Sequence, residues 1–332
     1  MDPVSHALFG RALVATMRTP STRSRGVAVA AVLGALSPDI DCVLMPVGWD
    51  IYLRVHSVGT HSLIGALAVA ALTGGLVLLL VRSSAFALLT AAAVTGALSH
   101  LLLDVTCGAP LQLLWPLSTR EFALPLVAMA DPWLLGMLVF ATLVFTARRN
   151  AAGDARTLVA AVMLFLAAKG ALLYVALNQA RTTQRPGIVA ASMVTARWGS
   201  LREWYVFDRT ATQLLQWRVT ALGGPATTVI SWPLAAESTL VRASRRLDTV
   251  RNFLDVHRFA FARELATDRD RRRVLWSDIR FCAATAGSSA SGATASEHLD
   301  CQLWVGGVFG RDGRAIVQQV LIGGFVQNRA PP

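Results

Sequence analysis

The chain has 332 residues, of which 54% are hydrophobic and 15% charged, and its formal net charge is +11. So high an apolar share over this length excludes an ordinary soluble protein and points to a bilayer. The basic balance would suit nucleic acid, but no zinc-finger, RNP or Walker pattern accompanies it, so a positive surface toward anionic lipid is the more economical reading. The two ends differ. Residues 1–178 hold 11 of the 31 basic and 8 of the 20 acidic side chains, whereas 179–332 hold 20 and 12. This shift predicts a membrane-embedded helical domain over 1–180 and a water-facing domain over 181–332.

Asp2 as N-cap and Pro3 at the first helical position are helix-start chemistry, and residues 1–17 lack the positive n-region of a signal peptide. A short helix is expected over 3–17, with His6 in its first turn. Arg18, Arg23 and Arg25 form a basic loop. An apolar helix from Gly26 stops at Ser37-Pro38, because proline disfavours helix at the residue before it. Asp39-Ile40-Asp41 follow, and the apolar run resumes toward Met45, as in a broken membrane segment. Residues 46–60 read as a loop carrying Asp50, Arg54 and His56. The stretches 61–81 and 85–103 are each near the ~20 apolar residues that cross a bilayer, joined by a turn at Arg82-Ser83-Ser84. A long connection, 104–131, holds Trp115-Pro116-Leu117-Ser118-Thr119-Arg120. Asp131-Pro132 start a helix to about Thr146, and 157–178 form the last span. Lys169 sits inside that span as a bundle-facing or snorkelling lysine.

Beyond residue 180 the pattern changes. Strand-like runs stand at 204–207, 213–219, 274–276, 302–305 and 315–322, and Asp312-Gly313 centre a hairpin turn. Residues 237–264 read as helix, and 283–296, small and rich in Ser and Gly, as a flexible loop. The expected fold is a polytopic α-helical membrane domain, about five helices plus a short N-terminal one. A smaller α+β extracytoplasmic domain with antiparallel strands follows it.

Lys and Arg are enriched in cytoplasmic loops. The loop of Arg18 to Arg25, Arg82, and the loop of Arg148, Arg149 and Arg156 fall on one side of this topology, which is therefore cytoplasmic. The opposite side receives His6, Asp39, Asp41, His56, His61, His100, Asp104, Asp131 and the whole C-terminal domain. Singly these residues say little. His100 and Asp104, four apart on one helix face, suit a shared metal or a capping pair. His61 suits a helix cap, and Asp39-Ile40-Asp41 a solvated turn. Together they supply the N and O ligands of zinc, iron or manganese sites, and ionisable groups at membrane depth are costly enough to suggest function.

The same residues carry a family pattern. Met1 to Gly10 with His6, Leu36-Ser37-Pro38-Asp39-Ile40-Asp41, His56 followed by Gly59-Thr60-His61-Ser62, Ser99-His100 through Asp104, and Trp115-Pro116-Leu117-Ser118 occur in that order. Together they resemble the YdjM-type membrane-bound metal-dependent hydrolases, over residues 1 to about 180. The resemblance implies a polytopic inner-membrane protein with a divalent metal and hydrolytic chemistry. It departs at Ser57, where the family shows Arg after His; Arg54 or Arg120 are the replacements.

These readings converge on a metal-dependent hydrolase at the outer face of a bacterial inner membrane. His6, Asp39, Asp41, His61, His100 and Asp104 are the expected metal ligands, zinc first, with manganese or iron as alternatives. Asp41 doubles as general base and His56 as general acid. Membrane lipids are the expected partners and a lipid or lipid-linked phosphoester the expected substrate, held by Arg120 and Ser118. The competing reading is a non-catalytic metal-binding scaffold or ion transporter with an external partner-binding domain. Cys282 and Cys301, flanking the Ser/Gly-rich stretch beside strand-like sequence, are expected to form a disulfide outside the cytoplasm.

Overall fold

Asp2 accepts a hydrogen bond from the Ser5 amide and Pro3 opens the helix, so α1 (Pro3–Ala15) starts where the capping chemistry puts it. The computed structural model describes residues 1–17, 25–56, 58–81, 85–146, 151–181, 192–234, 237–267, 270–284 and 299–331. Several expected features lie outside these: Arg18 and Arg23, Ser57, the Arg82-Ser83-Ser84 turn, Arg148 and Arg149, and most of the Ser/Gly-rich loop. After α1 comes α2 (Arg25–Leu36), which the Ser37-Pro38 step converts into a 3-10 helix, Ser37–Leu44. Residues 46–60 are not the loop expected. They contain α3 (Trp49–His56) and a short 3-10 turn, Gly59–His61. Eight residues make a marginal helix in isolation. Packing supplies what length does not, because Trp49 and Leu53 lie against a C-terminal core that sequence periodicity does not reveal.

The long apolar helices α4 (Leu63–Val81), α5 (Phe86–Thr106) and α7 (Ala151–Arg181) follow, with the shorter α6 (Pro132–Thr146) between the last two. Among the described residues Arg25–Leu44, α4, α5 and Gly153–Arg181 are the four helical stretches long and apolar enough to span a bilayer. Asp131 caps α6, accepting from the Trp133 and Leu134 amides at 3.0 and 3.1 Å. At one end of the bundle Arg156 Nε reaches the Thr16 carbonyl at 3.3 Å, and a side chain added at Gly26 would meet Val81. The opposite end carries the polar residues. The 107–131 connection crosses it, bonded to the Leu63 amide through the Leu113 carbonyl and to the Asp2 amide through the Met129 carbonyl.

The C-terminal region is antiparallel throughout. Strands β1 (Met193–Ala196), β2 (Glu203–Arg209), β3 (Gln213–Thr220) and β4 (Thr227–Pro233) form one sheet in sequence order. The stretch 237–264, read from sequence as one helix, is α8 (Thr239–Ser244), α9 (Asp248–Val256) and the start of β5 (Ala260–Ala266). Alanine, Arg, Glu and Leu in β5 favour helix locally, but pairing with β6 (Arg272–Asp278) at the sheet edge overrides that preference. β9 (Leu303–Phe309), β10 (Ala315–Ile322) and β11 (Phe325–Arg329) complete this second sheet, in the order β11-β10-β9-β6-β5. The β9–β10 hairpin turns at Asp312-Gly313, where Gly313 takes a φ of 74°. The paired strands β7 (Cys282–Ala284) and β8 (Leu299–Cys301) are joined by the Cys282–Cys301 disulfide.

The bundle and the first sheet share one core: Leu134, Leu138 and Leu166 pack in the same cluster as Trp204, Val206, Leu215 and Trp217. Lys169 faces this junction. Its ammonium donates to the Ser200 and Leu201 carbonyls at 3.0 and 3.2 Å and lies 4.7 Å from the Trp204 ring, so it ties α7 to the sheet. The chain is thus a polytopic helical membrane region followed by an α+β region of antiparallel sheets.

Candidate metal centre

The site forms where α2 and α5 touch. A Cβ added at Gly34 would lie 2.2 Å from the Ala93 carbonyl oxygen, and one at Gly96 would lie 2.2 Å from that of Ala31. Such backbone contact is what small residues provide between membrane helices. Gly96, His100 and Asp104 recur at four-residue intervals on one face of α5, so the crossing lays His100 and Asp104 against the end of α2. There Pro38 has no N–H to offer the Gly34 carbonyl, which takes the Ser37 hydroxyl at 2.9 Å instead. The next carbonyl, Ala35, accepts His100 Nδ1–H at 2.7 Å. This bond puts a proton on Nδ1 and turns Nε2 toward the cluster.

Four chain segments bring their side chains to that nitrogen. His61 Nε2 stands 3.2 Å from His100 Nε2. Asp104 Oδ2 is 3.0 Å from His100 Nε2 and 3.6 Å from His61 Nε2, and Asp39 Oδ1 is 3.6 and 3.4 Å from the same two atoms. His6 stacks on His100 with ring centroids 3.8 Å apart and brings its Nε2 to 3.2 Å from Asp104 Oδ1, which also contacts the Met1 amino group. His6, His61 and His100 are fully buried and Asp104 nearly so. Asp39 is the opening, with 31% of its side chain exposed.

A second layer lies behind His61. Asp41 Oδ2 is 3.6 Å from His61 Nδ1 and 3.1 Å from His56 Nδ1, and Thr60 Oγ1 sits 3.3 Å from His61 Nδ1. His56 keeps 30% of its side chain in solvent. Tyr52 packs against it at 4.8 Å; burial, with the Asp41 and Asp39 carboxylates nearby, pushes the Tyr52 phenol above its ordinary pKa. Ser118 and Arg120 bond to each other and Arg120 stacks over Phe122; among the described residues neither makes an ion pair or hydrogen bond with the cluster.

These donors fit a divalent ion. Ligands bound to zinc at about 2.1 Å in a tetrahedron stand ~3.4 Å from one another, and the separations around His61 Nε2 and His100 Nε2 fall at 3.0–3.6 Å. His6 Nδ1 makes no hydrogen bond and its Nε2 meets only the Asp104 carboxylate, although the ring is fully buried. That is a costly arrangement for a purely structural histidine. The triads His6–Asp39–His100, Asp39–His56–His61 and His61–His100–Asp104 could each hold an ion. The Ala35 carbonyl and Thr60 were not singled out from sequence. The first was legible in principle, since Pro38 withholds a donor from the last turn of α2; Thr60 lay inside the motif already quoted around His61.

No curated protein and no solved structure matches the chain. The model of one family, described as YdjM inner membrane protein, matches residues 1–182, the part that carries every residue of the cluster, and the chain belongs to that family.

Proposed function

We propose that the protein is a metal-dependent hydrolase working at the outer face of the inner membrane on a lipid or lipid-linked phosphoester. The observation that carries this reading is the convergence of two histidine Nε2 atoms on two carboxylates, at ligand-to-ligand spacing, with one carboxylate open to the surface. His61, His100, Asp39 and Asp104 would hold the ion, with His6 completing the set from the α1 side. When bound, zinc, or manganese or iron in its place, supplies Lewis acidity and a water of lowered pKa. The Ala35 carbonyl keeps His100 in the right tautomer, and Asp41 with Thr60 orients His61 from behind. His56, with 30% of its side chain in solvent and paired with Asp41, is placed to take and return a proton as general acid and base. Asp41 reads better as the carboxylate that sets His56 and His61 than as a direct ligand. Arg120, exposed on the 107–131 connection next to Ser118, is the cation offered to a phosphate.

The position of the cluster favours a hydrolase over a transporter. His100 lies six residues, about 9 Å, inside the end of α5, and the opening at Asp39 and His56 is on that same end. A transport site would sit near mid-bundle. Placement of the sheets outside the cytoplasm belongs to the same proposal; the Cys282–Cys301 disulfide and the position of Arg25 and Arg156 at the opposite end of the bundle support it. The test is a phosphoester and phospholipid screen on the purified protein. Hydrolysis that is abolished by a chelator and by His100→Ala is expected. Turnover that survives both, or no turnover in a metal-loaded sample across that screen, would overturn the assignment.

A further inference from the structure

The sheet region is attached to the cluster through the segment that carries His56. The 46–56 segment lies between the 3-10 helix of Asp39 and Asp41 and the turn of His61, and its last residue is His56. Its polar anchors run to the C-terminal sheets. Asp50, whose side chain is fully buried, contacts Arg329 of β11 and accepts from Asn252 Nδ2 of α9 at 2.7 Å. Arg54 donates to Asn252 Oδ1 at 2.9 Å and faces Asp255 at 3.5 Å. Gln327 of β11 brackets the helix start, accepting from the Trp49 amide at 3.3 Å and donating to the Pro46 carbonyl at 3.1 Å. Trp49 and Leu53 pack on the core of Val250, Phe253 and Val320. An eight-residue helix has little stability of its own, so these partners, up to 281 residues away in sequence, decide where it sits.

We propose that the C-terminal sheets act as a clamp on α3, with Asp50, Asn252 and Arg329 as positioning residues that hold His56 against Asp41 at the mouth of the metal centre. The inference rests on the hydrolase reading for its catalytic consequence, but not for its structural one. The first turn of α3 is fixed by β11 and α9, and the last turn delivers His56. Loosening the clamp therefore releases His56 while leaving His61, His100, Asp39 and Asp104 on the 3-10 helix after α2, α5 and the turn before α4. A region with no ligand among its described residues would thereby set the activity of the membrane region, and anything docking on β11 or α9 would be felt at His56.

The test uses the full-length protein in lipid nanodiscs. Hydrogen exchange is read on peptides covering 46–56 and on peptides from α4 and α5, in the wild type, Arg329→Gln, Arg329→Lys and Asn252→Ala. Expected is a rise of about tenfold or more in exchange over 46–56 in Arg329→Gln and Asn252→Ala, with α4 and α5 unchanged and Arg329→Lys close to wild type. Bound zinc should stay constant across the set. The initial rate of His56 modification by diethyl pyrocarbonate should rise with the exchange, and hydrolysis of bis(p-nitrophenyl) phosphate should lose kcat with little change in KM. If Arg329→Gln unfolds the sheets, Asn252→Ala carries the test, because it removes one hydrogen-bond partner and leaves the Asp50–Arg329 pair. Unchanged exchange over 46–56 in Asn252→Ala would overturn the clamp. Raised exchange with unchanged His56 modification would overturn it as well. A wild type that binds zinc and hydrolyses nothing, with the exchange and modification pattern as expected, would sink the hydrolase reading and leave the clamp standing.

Discussion

The bundle and the sheets both bury charge, and they satisfy it in opposite ways. At Asp278 in the sheet region the partner is local. Asp278 is fully buried, and Arg280, two residues on, closes both its oxygens at 2.7 and 2.8 Å; burial alone would push this carboxyl up, but the guanidinium holds it below its ordinary range. In the bundle most of the partners are remote. Asp104 faces His100 one turn back on α5, and His6 and His61 from two distant segments, while a second carboxylate, Asp39, faces two of the same rings. A locally closed pair stabilises a fold. Groups of one ligand chemistry drawn together from distant segments, with nitrogens left over, describe a place for something else to bind.

The largest expected effect breaks the bundle side of this contrast. Asp104→Ala removes the carboxylate common to three histidines and should weaken zinc affinity by about 100-fold or more, measured against a chelator-buffered zinc series. Asp278→Ala in the sheets should leave zinc affinity unchanged. An equal loss in both variants would mean that the two kinds of burial are not distinct.

The sheet side is sharpened by its crosslink. The Cys282–Cys301 bridge spans 19 positions, and replacing both with Ser should cost the sheet region roughly 3 kcal/mol in the chain-entropy model, read from denaturant unfolding by tryptophan fluorescence. Zinc binding should be untouched.

His257, in the sheet region, has neither ring nitrogen hydrogen-bonded, but it lies between the Phe253 and Phe281 rings rather than among ligands. Burial, and then Arg280, pushes its pKa down to about 4. The unfolded chain takes up this proton near pH 6.5 and the folded chain only near 4. Stability is therefore full above about pH 6.5 and falls as pH drops toward 4, by up to roughly 3 kcal/mol. His257→Phe should flatten that part of the profile; a slope that persists unchanged in the variant would assign it to other groups.

The smallest effect concerns the crossing that builds the site. Gly96→Ala places a methyl 2.2 Å from the Ala31 carbonyl oxygen, so α2 and α5 must separate, at a cost of about 1–3 kcal/mol. It should also weaken zinc binding, because the His100–Ala35 bond lies one turn further along. Retained affinity with lowered stability would show that the centre tolerates a shifted helix.

Much of this was written in the sequence where one residue type has one physical meaning. Asp2-Pro3 started α1, Pro38 ended α2, Asp312-Gly313 turned the β9–β10 hairpin, and the His100–Asp104 spacing put two donors on one face. What was not legible depended on partners outside the segment itself. α3 is too short to announce itself and exists through Asn252, Gln327 and Arg329. β5 has helix-forming residues and is a strand because β6 pairs with it. At the site, the clustering of His6, Asp39, His61, His100 and Asp104 followed from topology alone. The division between residues that face the cluster and Asp41, which stands behind His61, needed side-chain directions.

The central claim is that the buried histidines and carboxylates hold an ion, and metal occupancy tests it most directly. Protein purified in detergent without chelator should carry a divalent metal at one or more equivalents. X-ray absorption should show nitrogen and oxygen ligands at about 2.0–2.2 Å, and His100→Ala should lose that metal while the helical region stays folded. A wild-type protein that carries no metal after dialysis against zinc, manganese and iron, or a His100→Ala variant with full occupancy, would contradict the account.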